Sequence, residues 1–183
     1  SLAKHDDYSI LCSLDLDDNS MCNPQVRDRL TQYPKAIPYW GYSNGSKIMA
    51  INRDVCFAPP FDILINMSDD FVFLKSGFDL EIINDMQAYF PDGDGFLHYP
   101  DGAVGANICT MTIIDSKYFD RFGYIYHPAY ISVYCDREAT EVAKKLNRYK
   151  YIPTQLFEHR HPMWKKTEWD EQYRRTEDPQ NYV

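Results

Sequence analysis

The stretch Phe61-Asp62-Ile63-Leu64-Ile65-Asn66-Met67-Ser68-Asp69-Asp70 sets the fold class. Its apolar centre has the length of a strand, and residues 46–57 before it and 78–89 after it carry apolar side chains at helical spacing. A strand between two helices, ending on a pair of carboxylates, is the building unit of an α/β domain. Such domains gather their ligands at the carboxyl ends of the strands.

Working outward, further strands are expected over 8–14, 36–42, 107–114 and 151–157. Asn23-Pro24 is a cap and first-turn pair that opens a short helix running to about Thr31. In 46–57, Ile48, Ile51 and Val55 form one stripe, and 78–89 is the clearest amphipathic helix. Asp115 can cap a helix that stops at Gly123, and 137–147 places Ala139, Val142, Ala143 and Leu146 on one face. Pro59-Pro60 and Pro91-Asp92-Gly93-Asp94-Gly95 mark turns, and there is neither an internal repeat nor a low-complexity linker. A single domain over 1–183 is expected, with 161–183 as a C-terminal arm or lid.

The bulk composition narrows the function. With 183 residues and 44% hydrophobic content the chain can bury a real core. Lys and Arg total 19 against 27 for Asp and Glu, a formal net charge of -8, which disfavours nucleic acid as a partner. An acidic domain that binds a polyphosphate needs a cation between the two, because bare carboxylates repel phosphates. Five widely spread cysteines without a CxxC pair fit neither a disulfide framework nor a zinc knuckle, so a reducing compartment is expected. No run approaches the roughly 20 apolar residues of a membrane helix, and no basic-then-apolar signal segment opens the chain. The expected location is cytoplasmic, with a position peripheral to a membrane as the alternative.

Four acidic or histidine-bearing segments follow predicted strands or open helices. In Asp15-Leu16-Asp17-Asp18-Asn19-Ser20 the carboxylates can accept hydrogen bonds from a nucleoside, or can simply close an Asx-type turn. Asp69 and Asp70 can bind a hard divalent cation, or can cap a helix. Asp136 suits the N-cap of the helix that follows it; the sharper reading is a general base. His159 and His161, two apart on a strand, point the same way and can complete a metal site or lie idle on the surface.

In this order the segments resemble the family 2 glycosyltransferases of the GT-A fold, over residues 8–164. Leu16-Asp17-Asp18-Asn19-Ser20 is similar to the family's nucleoside-contacting aspartate segment. Asn44-Gly45-Ser46-Lys47, with Ala50 and Asn52, resembles its NxGxxxAxN helix start. The stretch ending on Ser68-Asp69-Asp70 resembles its DxD-like motif, with Met67 where the commoner pattern has its first Asp, and Cys135-Asp136 falls at its ED motif.

The resemblance implies a Rossmann-like mixed sheet flanked by helices. It also implies that the N-terminal strand and helix of the family are lacking, because only seven residues precede the first predicted strand. It further implies a nucleotide-diphospho-sugar donor such as a UDP-sugar, a glycan or other hydroxyl acceptor, and Mn²⁺ or Mg²⁺ as cofactor. By the same resemblance Asp17, Asp18, Lys47 and Asp69 would hold the nucleotide, and Asp69, Asp70, His159 and His161 would hold the metal. Asp136 would be the catalytic base of an inverting transfer. Two rival expectations are a non-catalytic nucleotide-sugar-binding module with an incomplete fold, and a nucleotidyltransferase. The latter would usually carry a Gly-rich phosphate loop after its first strand, and none is visible in the sequence.

Overall fold

In the computed structural model, which describes residues 2–168 and Arg174, two short strands fix the layering. β5 (Phe96–His98) and β6 (Ile113–Asp115) pair antiparallel, with Phe96 opposite Ile114 and Leu97 opposite Ile113. Successive side chains on a strand face opposite ways, and here both faces are buried. Phe96 and Ile114 join one apolar cluster with Ile48, Val55, Tyr118 and Ala143, while Leu97 and Ile113 join another with Phe71, Ile82, Met86 and Phe157. This two-sided burial suits strands with apolar side chains at successive positions, Phe96-Leu97 on β5 and Ile113-Ile114 on β6.

β6 runs against both of its neighbours, β5 and β3 (Ile63–Ile65), and β7 (Tyr149–Tyr151) adds parallel to β5, giving the order β3-β6-β5-β7. Helices α2 (Lys47–Val55), α4 (Ser116–Asp120) and α5 (Cys135–Lys145) supply the first cluster. Helix α3 (Phe78–Tyr89) and the antiparallel ribbon of β4 (Phe71–Phe73) and β8 (Phe157–His159) supply the second. A separate parallel pair, β1 (Ile10–Asp15) and β2 (Ala36–Gly41), is connected through α1 (Pro24–Thr31), and α2 packs on β1. The molecule is thus a mixed α/β protein with several sheets and five helices among the described residues.

Local chemistry sets the boundaries. Asn23 caps α1 by accepting the Val26 N–H, Ser46 caps α2 through Met49 N–H, and Asp115 caps α4 through Tyr118 N–H. Gly123, at φ 70°, closes the turn after α4 by donating to the Phe119 carbonyl. In α5 the acidic Asp136 and Glu138 lie in the first turn and Lys144 and Lys145 in the last, complementing the helix dipole.

Several expectations are corrected. The strand expected over 151–157 is two strands, β7 and β8, broken by a loop containing Pro153, which has no N–H to give to a ladder. The strand expected over 107–114 shrinks to β6. Before it, the Cys109 N–H is taken by the Thr140 hydroxyl on α5, and Thr110 turns its hydroxyl to Asp101. Asp136 is not an N-cap: α5 begins at Cys135, two residues before the expected start, behind Tyr134 in the left-handed region at φ 68°. Of the arm or lid expected over 161–183, residues 169–173 and 175–183 lie outside the described residues. Within the described part, Pro162–Trp164 form a 3-10 turn, and Lys166 reaches Glu158 and the Gly102 carbonyl. No helix among the described residues is long and apolar enough to cross a membrane.

Candidate active site

The β4–β8 pairing builds the centre of the site. Its register sets Phe71 opposite His159, and the Arg160 N–H donates to the Asp70 carbonyl. Asp70, one residue before β4, is thereby carried to the His159 ring, and His159 Nε2 lies 2.8 Å from Asp70 Oδ2. Ser68 donates its hydroxyl to the other Asp70 oxygen. The imidazole is wedged in place: it stacks on Phe71 at 4.3 Å between centroids and 15° between planes, and Trp164 meets it edge-on at 5.2 Å.

Behind His159 lies Asp101, only 1% exposed. Its carbonyl accepts the His159 N–H, Oδ1 accepts the N–H groups of Ala103 and Val104 at 2.9 Å each, and Oδ2 accepts the Thr110 hydroxyl at 2.9 Å. Asp101 Oδ2 is 3.7 Å from His159 Nδ1, an ion-pair distance rather than a hydrogen bond. Nδ1 is buried with no hydrogen-bond partner among the described residues. Burial opposes charge on both groups, and their mutual attraction outweighs it. The Asp101 carboxyl is held well below its usual range by the imidazole, the two N–H groups and the hydroxyl, and the His159 imidazole is pushed up by the Asp101 and Asp70 carboxylates.

The catalytic candidate approaches from the other layer. Asp136, in the first turn of α5, accepts the Arg137 N–H at 2.8 Å. Burial raises its carboxyl above the ordinary value, while that N–H and the positive charges of Lys47 and His159 work in the opposite direction. Lys47 is the first residue of α2 and is exposed. The loop leading to it is tied at both ends: Ser43 donates to Asp15 Oδ2 at 2.6 Å, and Ser46 donates to the Ile131 carbonyl at 3.1 Å. The loop therefore joins the end of β1 to the segment before α5.

Of the sequence-predicted residues, Asp70, His159 and His161 are in contact here, and Asp136 lies within reach of the charges of Lys47 and His159. His161 has its ring centroid 5.3 Å from that of His159, and its Nδ1 accepts the Met163 N–H, capping the following turn. Asp18 Oδ1 accepts Ser20 N–H, Ser20 hydroxyl and Met21 N–H, which is the Asx-type turn. Asp17 and Asp69 have exposed side chains, and no hydrogen bond or ion pair ties either to the group among the described residues.

Asp101 escaped the sequence reading because it sits in a Pro-Asp-Gly turn that looks like punctuation, and Asp15, the first carboxylate of the 15–20 segment, is the last residue of β1. Asp15 Oδ1 is buried with no hydrogen-bond partner among the described residues.

A divalent cation can be weighed against this donor set. Among the described residues no group of three or more His, Cys, Asp or Glu side chains could hold a metal ion. Asp70 and His159 supply one oxygen and one nitrogen already in contact, and Asp101 backs the histidine as carboxylates commonly back metal-bound imidazoles. A pair of protein ligands fits a cation that arrives with a diphosphate, which fills the remaining positions. Compared with known proteins, the chain matches no family model, no curated protein and no solved structure.

Proposed function

We propose that the protein is a glycosyltransferase of GT-A type that moves a sugar from a nucleotide-diphospho-sugar to a hydroxyl acceptor. The observation that carries the reading is a carboxylate–imidazole pair with a half-buried carboxylate and a lysine within reach of its charges, drawn from four elements distant in sequence. The sheet gives further support, since the resemblance implies a mixed sheet and β6 runs against both of its neighbours.

In this reading Asp70 and His159 hold Mn²⁺ or Mg²⁺, which when bound neutralises charge on the diphosphate leaving group. Lys47, exposed at the start of α2, adds positive charge toward the phosphates. Asp136 takes the proton of the acceptor hydroxyl while that oxygen bonds to the anomeric carbon. The carbon–oxygen bond to the diphosphate breaks, and its electron pair leaves with the nucleotide. Partial burial lifts the Asp136 carboxyl toward the range useful to a base, against the opposing pull of the Arg137 N–H and the Lys47 charge. For the nucleoside, Asp15 adds a buried acceptor beside the Asp18 turn, while Asp17 and Asp69 stay open to solvent as outer contacts.

The test is a sugar-transfer and donor-hydrolysis assay over a panel of UDP-, GDP- and CDP-sugars with Mn²⁺. Asp136→Asn should keep donor binding and lose turnover by about 10²- to 10⁴-fold. Turnover at the parent rate would remove Asp136 from the mechanism.

The second reading, a non-catalytic nucleotide-sugar-binding module, is favoured by the β1–β2 pair forming a sheet of its own, apart from the four central strands. Donor binding without turnover of any sugar in the panel would select it.

A further inference from the structure

The loop that leads into α2 contains a chemically labile step. Ser43-Asn44-Gly45-Ser46 is a type I′ turn: Asn44 and Gly45 lie in the left-handed region, at φ 51° and 76°, and the Ser46 N–H donates to the Ser43 carbonyl at 2.9 Å. Asparagine and glycine suit these positions because both adopt positive φ at little cost. The same pair is reactive, because a glycine has no side chain to keep its backbone nitrogen away from the amide carbon of the asparagine before it.

Asn44-Gly45 is the only such step in the chain. The Asn44 side chain is exposed and makes no hydrogen bond among the described residues. The three Asp-Gly steps, which react by the same route, are held back by their partners. Asp92 pairs with Arg148, Asp94 is buried against Arg121, and Asp101 accepts two backbone N–H groups and the Thr110 hydroxyl.

We infer that Asn44 is a site of spontaneous deamidation and isoaspartate formation. The Gly45 nitrogen bonds to the Asn44 side-chain carbon as it gives up its proton, and the side-chain carbon–nitrogen bond breaks, releasing ammonia. Water then opens the imide at either carbonyl, leaving aspartate or, with an extra carbon in the main chain, isoaspartate. No oxidant or reductant takes part. Ring closure requires the Asn44–Gly45 peptide to rotate out of the turn, which opens the bond from Ser46 to Ser43. A single backbone hydrogen bond is a modest brake, slowing the reaction about 2- to 10-fold relative to the unfolded chain.

Either product places a negative charge in the loop just before Lys47. Isoaspartate also lengthens a loop anchored at both ends, at Asp15 through Ser43 and at the Ile131 carbonyl through Ser46. The added carbon draws those two ties apart, so the converted protein is less stable than the parent.

The test is to age the intact protein in mildly alkaline buffer at body temperature, folded and in urea. The tryptic peptide 36–47 is then fragmented by electron transfer, which distinguishes isoaspartate from aspartate. Isoaspartate should accumulate at position 44 of the folded protein at no less than about a tenth of its rate in urea, and the thermal midpoint of the aged protein should fall. Asn44→Gly keeps the turn but has no side-chain amide, and should hold its midpoint through the same treatment. Conversion in urea with none in the folded protein, or faster isoaspartate formation at another asparagine, overturns the assignment of Asn44. Conversion at Asn44 with an equal fall of midpoint in Asn44→Gly, or no fall in either, overturns the effect on the loop and leaves the modification site standing.

Discussion

Asp15 keeps one carboxylate oxygen on the Ser43 hydroxyl and buries the other without a partner among the described residues. An unsatisfied buried acceptor costs about 1–3 kcal/mol, a cost that persists where a ligand later supplies the missing donor. A nucleoside base N–H or ribose hydroxyl is such a donor. Asp15→Asn should therefore leave the thermal midpoint unchanged or raise it, and weaken nucleoside diphosphate binding about tenfold or more. A calorimetric titration of the variant against the parent checks both. Unchanged affinity would detach Asp15 from the nucleoside.

His98 makes a prediction of a different kind. It is fully buried against Tyr149, whose hydroxyl lies 2.6 Å from Nδ1, and burial pushes its imidazole down to about 4. The folded value lies below the ordinary value near 6.5, so the neutral ring's contribution is complete above about 6.5. It is lost as the pH falls toward the folded value, by up to about 3 kcal/mol. His98→Gln, which can still bond Tyr149 but does not titrate, should show a shallower loss of denaturation midpoint across that window. An equal loss in both proteins would mean that His98 does not govern it.

Among the elements, α5 carries Asp136 and ends in a motif that can be tested alone. Asn147 sits in the left-handed region at φ 55°, its N–H donates to the Lys144 carbonyl, and the Arg148 N–H donates to the Ala143 carbonyl, the double bond of a Schellman cap. Asn147→Gly should be neutral or stabilising by up to about 1 kcal/mol, and Asn147→Val destabilising by about 1–2 kcal/mol. Chemical denaturation of the two variants measures the difference.

Elements were legible in the sequence in proportion to how local their causes are. α3 spans 78–89 as its apolar period predicts, and the Asn23 and Asp115 caps lie where their side chains announce them. The three-residue strands β4 and β5 carry too little pattern to be read, because each exists through a partner far along the chain. Asp136 has the side chain of a cap but lies in the first turn, because α5 starts behind Tyr134, a residue type that rarely adopts positive φ.

At the scale of the molecule, the sheet and its two covering layers decide which carboxylates meet. The layer of α2 and α5 brings Lys47 and Asp136; the β4–β8 ribbon on the opposite layer brings Asp70 and His159. The sequence holds the residue types in order, and of its candidates Asp70, His159 and His161 are in contact, with Asp136 within reach of the Lys47 and His159 charges. It could not show that Asp101 stands behind His159, since that follows from contacts that only the folded chain makes.

The account stands on a cation and a nucleoside diphosphate sharing the Asp70–His159 seat. Its most direct test is the thermal midpoint of the parent protein and of Asp70→Ala with UDP, GDP or CDP, each with and without Mn²⁺. A ligand that binds only the folded state at about a hundred times its Kd adds about 2.7 kcal/mol, a readily measured rise. The expected result is a rise in the parent that requires nucleotide and Mn²⁺ together and vanishes in Asp70→Ala; no rise with any nucleotide, or one indifferent to Mn²⁺ and to Asp70, would contradict it.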